Sequence, residues 1–333
     1  MTQVLVDNRR NAWKRGGVEV TATTAVDVAR QAGLDWEVMS VPIQAYKNYN
    51  VNPYEVATDY YEVPNKQGIL KLGKDNNNSI IGVVGSKYKI VQNMEVFSAL
   101  DGLVESGEAR YSAAGEYNGG ASVWMLMELP NEVTVSGDPH AAYLLARTSH
   151  DGSSSVAIRP IIERIYCANQ IGKLLRGKVN SKPLTYTMKH TANAKLSVSD
   201  IREITTVTYK AIEEYELTAK QLLNREVDRY QARNIFRKVF PLPPELEDVS
   251  YDLLSQGQRK QQTMAYEARD KVWDVYANSA TQENIRGTAF GVWQAVVEYA
   301  DYYARGTADK RSLDTITGRN DRLKNKALSI LTA

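Results

Sequence analysis

Ser149-His150-Asp151-Gly152-Ser153 is where side chains capable of proton and group transfer crowd most closely in this chain. Histidine can act as a general base near neutral pH, and an aspartate beside it can orient the ring or hold a divalent cation. Two facts weigh against catalysis. Neighbours on one turn point in different directions, and His-Asp-Gly is also good tight-turn chemistry, with Gly supplying a positive φ and Asp bonding nearby amides. A serine nucleophile is weaker still, because no second histidine lies close by in the sequence. His150 and Asp151 are therefore weak catalytic candidates, the basis of an alternative reading as a magnesium-dependent hydrolase or nuclease.

Other signatures of chemistry are missing. The sequence has no G-x-x-x-x-G-K-[ST] phosphate loop, no G-x-G-x-x-G, no H-E-x-x-H and no G-x-S-x-G elbow, which argues against an ATP-driven helicase or recombinase. One cysteine, Cys167, and three dispersed histidines, His140, His150 and His190, make a structural zinc site unexpected, so no cofactor and no metal is assigned. Cys167 stands at an apolar strand end and reads as a small buried hydrophobe; a lone cysteine also fits a reducing compartment.

Basic residues offer more. Between 158 and 182 stand Arg159, Arg164, Lys173, Arg176, Lys178 and Lys182 against one acid, Glu163, in a chain whose formal net charge is only +2. If Arg159 and Arg164 leave a strand on the same side as the loop that follows, they make a positive groove able to track a phosphate backbone. Trp13 and Arg15, in an N-terminal segment that also holds Arg9, Arg10 and Lys14, could add a contact combining stacking with charge. Twenty tyrosines against four phenylalanines fit the same idea, since Tyr can stack on a base while its hydroxyl stays wet. A second basic cluster, Arg319, Arg322, Lys324 and Lys326, reads as a solvated helix face.

The elements that must position these residues can be read from periodicity. Apolar runs 141–146 and 156–167 flank the serine-rich hinge and read as buried or half-buried strands. Before them, Thr24 caps a helix over 25–32, strands are expected at 34–38 and 80–84, and Asn93 caps a helix over 94–105. A hairpin is expected where 109–117 and 122–129 flank Asn118-Gly119-Gly120. Residues 44–78 read as short strands or a long excursion, and 169–175 as a short helix. Beyond residue 195 only helical patterns remain: 198–240, ended by Pro241-Leu242-Pro243-Pro244, then 258–277, 283–303 and 322–331. Segregated strands and helices predict an α+β fold, with an N-terminal, mostly antiparallel sheet carrying interspersed helices and an all-helical C-terminal subdomain. The expected divisions are an extended basic arm at 1–17, a sheet domain at 18–195 and a helical subdomain at 196–333. No run of about 18 apolar residues suggests a membrane span, and the N-terminus lacks the apolar core of a signal peptide.

Several pieces together resemble the phage/plasmid-like proteins, a family of unassigned function carried by bacteriophages, plasmids and integrated elements. They include Ala32-Gly33-Leu34-Asp35-Trp36-Glu37-Val38, Val91-Gln92-Asn93, Tyr143-Leu144-Leu145, Ser149-His150-Asp151-Gly152-Ser153, Arg164 with Cys167 and Asn169, and Arg286-Gly287-Thr288-Ala289. The family often has Trp-His where this chain has Trp13-Lys14, and Asp-His where it has Asp301-Tyr302; a reaction that needed either histidine is thereby disfavoured. The resemblance implies a mobile-element origin and a bacterial cytoplasm, with no assigned activity. By architecture and context the chain looks like the single-strand annealing proteins of the RecT, Red-beta and Erf type. The expectation is a phage-encoded, ATP-independent protein, more a binder than an enzyme. It would bind or anneal single-stranded DNA in recombination or replication and assemble as a homo-oligomer, with a replication protein of host or phage as a further partner. The main alternative is an interaction protein that binds a host factor.

Overall fold

A computed structural model describes residues 15–52, 54–74, 77–130, 133–135, 137–164, 169–171, 178–179, 182–183, 185–191 and 198–333. The expected α+β organisation is present, with strands confined to the N-terminal part and long helices after residue 198. The main sheet runs β1 (Gly17–Glu19), β7 (Arg110–Tyr117), β8 (Ser122–Glu128), β10 (Asp138–Ser149), β11 (Val156–Arg164) and β12 (Asn169–Ile171). The short β9 (Val133–Val135) pairs with β10, and β15 (Tyr186–Met188) with β11, all antiparallel. A smaller three-stranded sheet holds β2 (Glu37–Val41), β5 (Lys66–Leu72) and β6 (Ser79–Gly85). Residues 44–62, read only as short strands or an excursion, form one long hairpin of β3 (Gln44–Asn52) and β4 (Glu55–Glu62). Two two-residue strands, β13 (Lys178–Val179) and β14 (Lys182–Pro183), pair with each other.

The first helices follow their caps. Thr24 accepts the Asp27 amide at the start of α1 (Ala25–Gln31), and Gly33 ends the turn at φ +68°. The helix expected over 94–105 breaks into α2 (Asn93–Phe97), a 3-10 turn and α3 (Asp101–Glu105). Its cap is Gln92, whose amide donates to Glu95; Asn93 is buried instead. At the predicted hairpin, Asn118, Gly119 and Gly120 all adopt positive φ.

In the C-terminal part lie α4 (Val198–Leu223), α5 (Arg229–Val239), α6 (Gln256–Asn278), α7 (Ala289–Glu298), α8 (Ala308–Thr317) and α9 (Asp321–Leu331). The single helix read over 198–240 is therefore two. The break comes where Val227 donates to Gly287 O and Ala289 to Arg225 O, after which Asp228 caps α5 through the amides of Tyr230 and Gln231. Thr288 caps α7, and a π turn over Tyr299–Tyr303 ends it. The α8 helix had no counterpart in the reading of the sequence. The short helix expected at 169–175 is replaced over Asn169–Ile171 by β12; residues 172–175 lie outside the description.

β11 is buried along its whole length because both faces of the sheet are covered. One face joins the large apolar core that runs from Val20 to Leu331 and takes side chains from sheet and helices alike. On the other face Trp124, Leu126, Leu145 and Ile161 pack against Ile316 of α8. No helix among the described residues is long and apolar enough to cross a membrane.

Candidate nucleic-acid interface

Arg159 and Arg164 do not form a groove. They are five residues apart on one strand, and side chains alternate faces along a strand, so they leave β11 on opposite sides. Arg159 turns toward the C-terminal helices. It donates to Asp321 at 2.6 Å and to the carbonyls of Thr315 and Ile316. Arg164, fully buried, donates to Asp138 at 2.6 Å, to Thr281 O at 2.7 Å and to Asn284 at 2.8 Å. Both guanidiniums tie the sheet to the helical half, and each is matched by a buried carboxylate. Beside Arg164, His140 donates from Nδ1 to Asp138 O and receives the Tyr215 hydroxyl at Nε2, 2.5 Å away. Burial drives the His140 ring down to about 4, so it is a neutral hydrogen-bonding group at neutral pH.

The remaining members of the expected set divide. Trp13, Lys173, Arg176 and Cys167 lie outside the described residues, as do the side chains of Lys178 and Lys182, whose backbones sit in β13 and β14. Arg15 is drawn into the body: it donates to Ser312 at 2.6 Å and stands 5.1 Å over the Tyr302 ring. Nor is the C-terminal basic cluster simply solvated, since Lys324 is buried on Asp301 at 2.6 Å and Lys326 donates to Val239 O.

The hinge is a built turn. Asp151 accepts the Ser153 amide at 2.9 Å, Gly152 has φ +74°, and Ser149 Oγ donates to Ser154 O. His150 is buried, edge-on to Trp36, with Nε2 2.9 Å from the Asn93 side-chain oxygen. Asn93 uses its amide nitrogen on Leu34 O, so its oxygen must accept, and His150 is the donor. Burial lowers His150 to about 4, with His190 adding to the effect. No group of three or more His, Cys, Asp or Glu side chains among the described residues is arranged to hold a metal ion.

Exposed positive charge lies on α5. Its sequence, RYQARNIFRKV, has four cations and no acid, and Ala232, Phe236 and Val239 bury the adjoining side. Arg229, Arg233 and Arg237 follow at four-residue intervals, about 6 Å of rise each, and all three are exposed. Arg233 stacks over Trp273 of α6 at 4.1 Å from the ring centre. Between α5 and α6 opens a cleft of about 430 Å³, walled by Tyr230, Arg233, Arg237, Tyr266 and Trp273. Arg269 at its floor is held in a two-pronged bridge to Glu247, and Asp270 is the one acid on the wall. Sequence reasoning missed this ridge because it absorbed α5 into a longer helix, where its one-signed face was averaged away.

Residues 80–328 match a family model described as a domain of unknown function, DUF932. The chain belongs to the DUF932 family. The match takes in the hinge, both buried arginines and the α5–α6 cleft, and it begins after the β3–β4 hairpin. No curated protein and no solved structure matches the chain.

Proposed function

We propose that this DUF932 protein binds single-stranded nucleic acid along the exposed face of α5. The observation that carries this reading is the row Arg229, Arg233 and Arg237, unopposed within its helix and set beside exposed Tyr230 and half-buried Trp273. Cations spaced along a ridge neutralise successive phosphates, and aromatic rings beside them stack on bases without reading sequence. The fork geometry of arginine suits phosphate oxygens. Nothing in this arrangement calls for a nucleotide triphosphate or a covalent step, so the role is binding or annealing rather than turnover. The resemblance to phage/plasmid-like proteins supports a mobile-element setting in a bacterial cytoplasm, where single strands arise in replication and recombination.

The site differs from the strand-and-loop groove expected from the sequence, because Arg159 and Arg164 are committed to Asp321 and Asp138. Titration of labelled single strands at two salt concentrations tests the proposal, with Arg233→Ala/Arg237→Ala as the comparison. Weakened binding and a shallower salt dependence in the variant support it; unchanged binding rules the α5 ridge out.

A further inference from the structure

The β3–β4 hairpin stands apart from the body. Its strands pair from Gln44–Glu62 to Asn52–Glu55, and every described residue of the two strands is exposed except half-buried Ala57. At about 3.4 Å per residue the arm reaches roughly 30 Å. A lone two-stranded hairpin is marginal in water, yet this one carries Tyr46, Tyr49, Tyr54, Val56, Tyr60 and Tyr61 in the open, with Tyr54 at the tip 99% exposed. Apolar surface of that extent marks an interaction site.

Both faces of the arm carry tyrosine. Cross-strand neighbours share a face, so Tyr46 with Tyr60 and Asn50 with Val56 form one side. The other side carries Tyr49 opposite Ala57 and Tyr61 opposite Ala45, with the pair Lys47–Asp59 between them. Nucleic acid is a poor occupant, because residues 44–62 hold one cation, Lys47, against Glu55, Asp59 and Glu62.

A second unpartnered surface lies at the root of the arm. In the β2–β5–β6 sheet, Met39 neighbours Leu70, Leu70 neighbours Ile80, and Val83 neighbours Gly68. Met39, Ile80 and Val83 are exposed there, although β6 carries no charge at all. Exposed lysines Lys66, Lys87 and Lys89 stand on and just beyond β5 and β6. The arm cannot cover this face in its own chain. It continues the β2–β5 ribbon outward, with Val63 donating to Ile43 O at the junction, so folding back would break that ladder.

We infer that the occupant is a second copy of this chain. Two protomers exchange arms about a twofold axis, the Tyr46–Tyr60 side of each arm lying across the outer β2–β5–β6 face of the other. Isologous contact uses the same two patches on both copies. Glu62, on the docked side of the arm, meets the lysine rim, and tyrosine meets Met39 and Val83. A ribbon about 30 Å by about 10 Å covers roughly 300 Å² of each surface. Two reciprocal arms then bury roughly 1,200 Å², enough for a stable interface. This inference does not depend on the nucleic-acid reading.

Sedimentation of the full chain tests it. The expected species has twice the 37.3 kDa chain mass. Tyr46→Ser/Tyr60→Ser on the arm and Met39→Lys/Val83→Lys on the face alter exposed positions, and circular dichroism checks that both variants fold. Each is expected to raise the dimer dissociation constant at least about tenfold, or about 1.4 kcal/mol. An equal mixture of the two regains dimer, because each mixed pair keeps one intact arm-on-face contact. A monomeric parent protein at about 100 μM, a dimer indifferent to either variant, or a mixture no more dimeric than its components overturns the inference. The first of those outcomes would point to a different protein as the arm's occupant.

Discussion

Arg159 on β11 and Asp321 at the head of α9 meet at 2.6 Å across 162 residues of chain. Both side chains are nearly buried, and the same guanidinium also satisfies two carbonyls at the end of α8. The pair locks the C-terminal helices onto the far face of the sheet. Removing one partner strands the other as an uncompensated buried charge. Arg159→Met is expected to cost about 3–5 kcal/mol in urea unfolding, whereas Arg159→Met/Asp321→Leu recovers most of that loss. Additive losses in the double variant would show that the two residues do not act as a pair.

Stability should fall as the solution is acidified below the ordinary histidine range. His140 and His150 are held neutral by burial, each down to about 4 from an unfolded value of 6.5. The unfolded chain therefore binds more protons between those values. The stabilisation is complete above pH 6.5 and is lost as pH falls toward 4. Each ring contributes on the order of 3 kcal/mol. Unfolding midpoints followed across that window check the slope, and imidazole proton shifts assign it. Either ring titrating near 6.5 in the folded protein would contradict its assignment as a buried neutral group.

Asp151 is placed to hold a turn. Asp151→Ala removes the acceptor of the Ser153 amide and should lower stability by about 1 kcal/mol while leaving single-strand binding unchanged. Magnesium-dependent DNA cleavage that disappears in this variant would instead restore the hydrolase reading of His150 and Asp151.

Much of the frame was legible in the sequence because it rests on local rules. Thr24 and Gly33 delimit α1, the Asn118-Gly119-Gly120 turn sets the β7–β8 hairpin, and Pro241 stops α5. Where tertiary contacts decide, the reading failed. The chain between α4 and α5 is held open by ladder-like bonds to Gly287 and Ala289, some sixty residues away, which no helical pattern records. The candidate site was misplaced for a simpler reason. Strand alternation alone puts Arg159 and Arg164 on opposite faces, but nothing in the sequence says that both faces are covered. The tyrosine arm reads as an excursion because tyrosines and polar residues stand on both of its faces, so its strands lack the apolar–polar alternation of a half-buried strand.

The salt dependence of single-strand binding tests the central claim most directly. Each lost phosphate contact reduces the slope of log K against log salt by about 0.7 on single strands, so Arg233→Ala/Arg237→Ala should flatten it by about 1.4 and weaken binding most at low salt. Binding whose strength and slope are the same in parent and variant, or a parent protein that fails to bind single strands at low salt, would contradict the account.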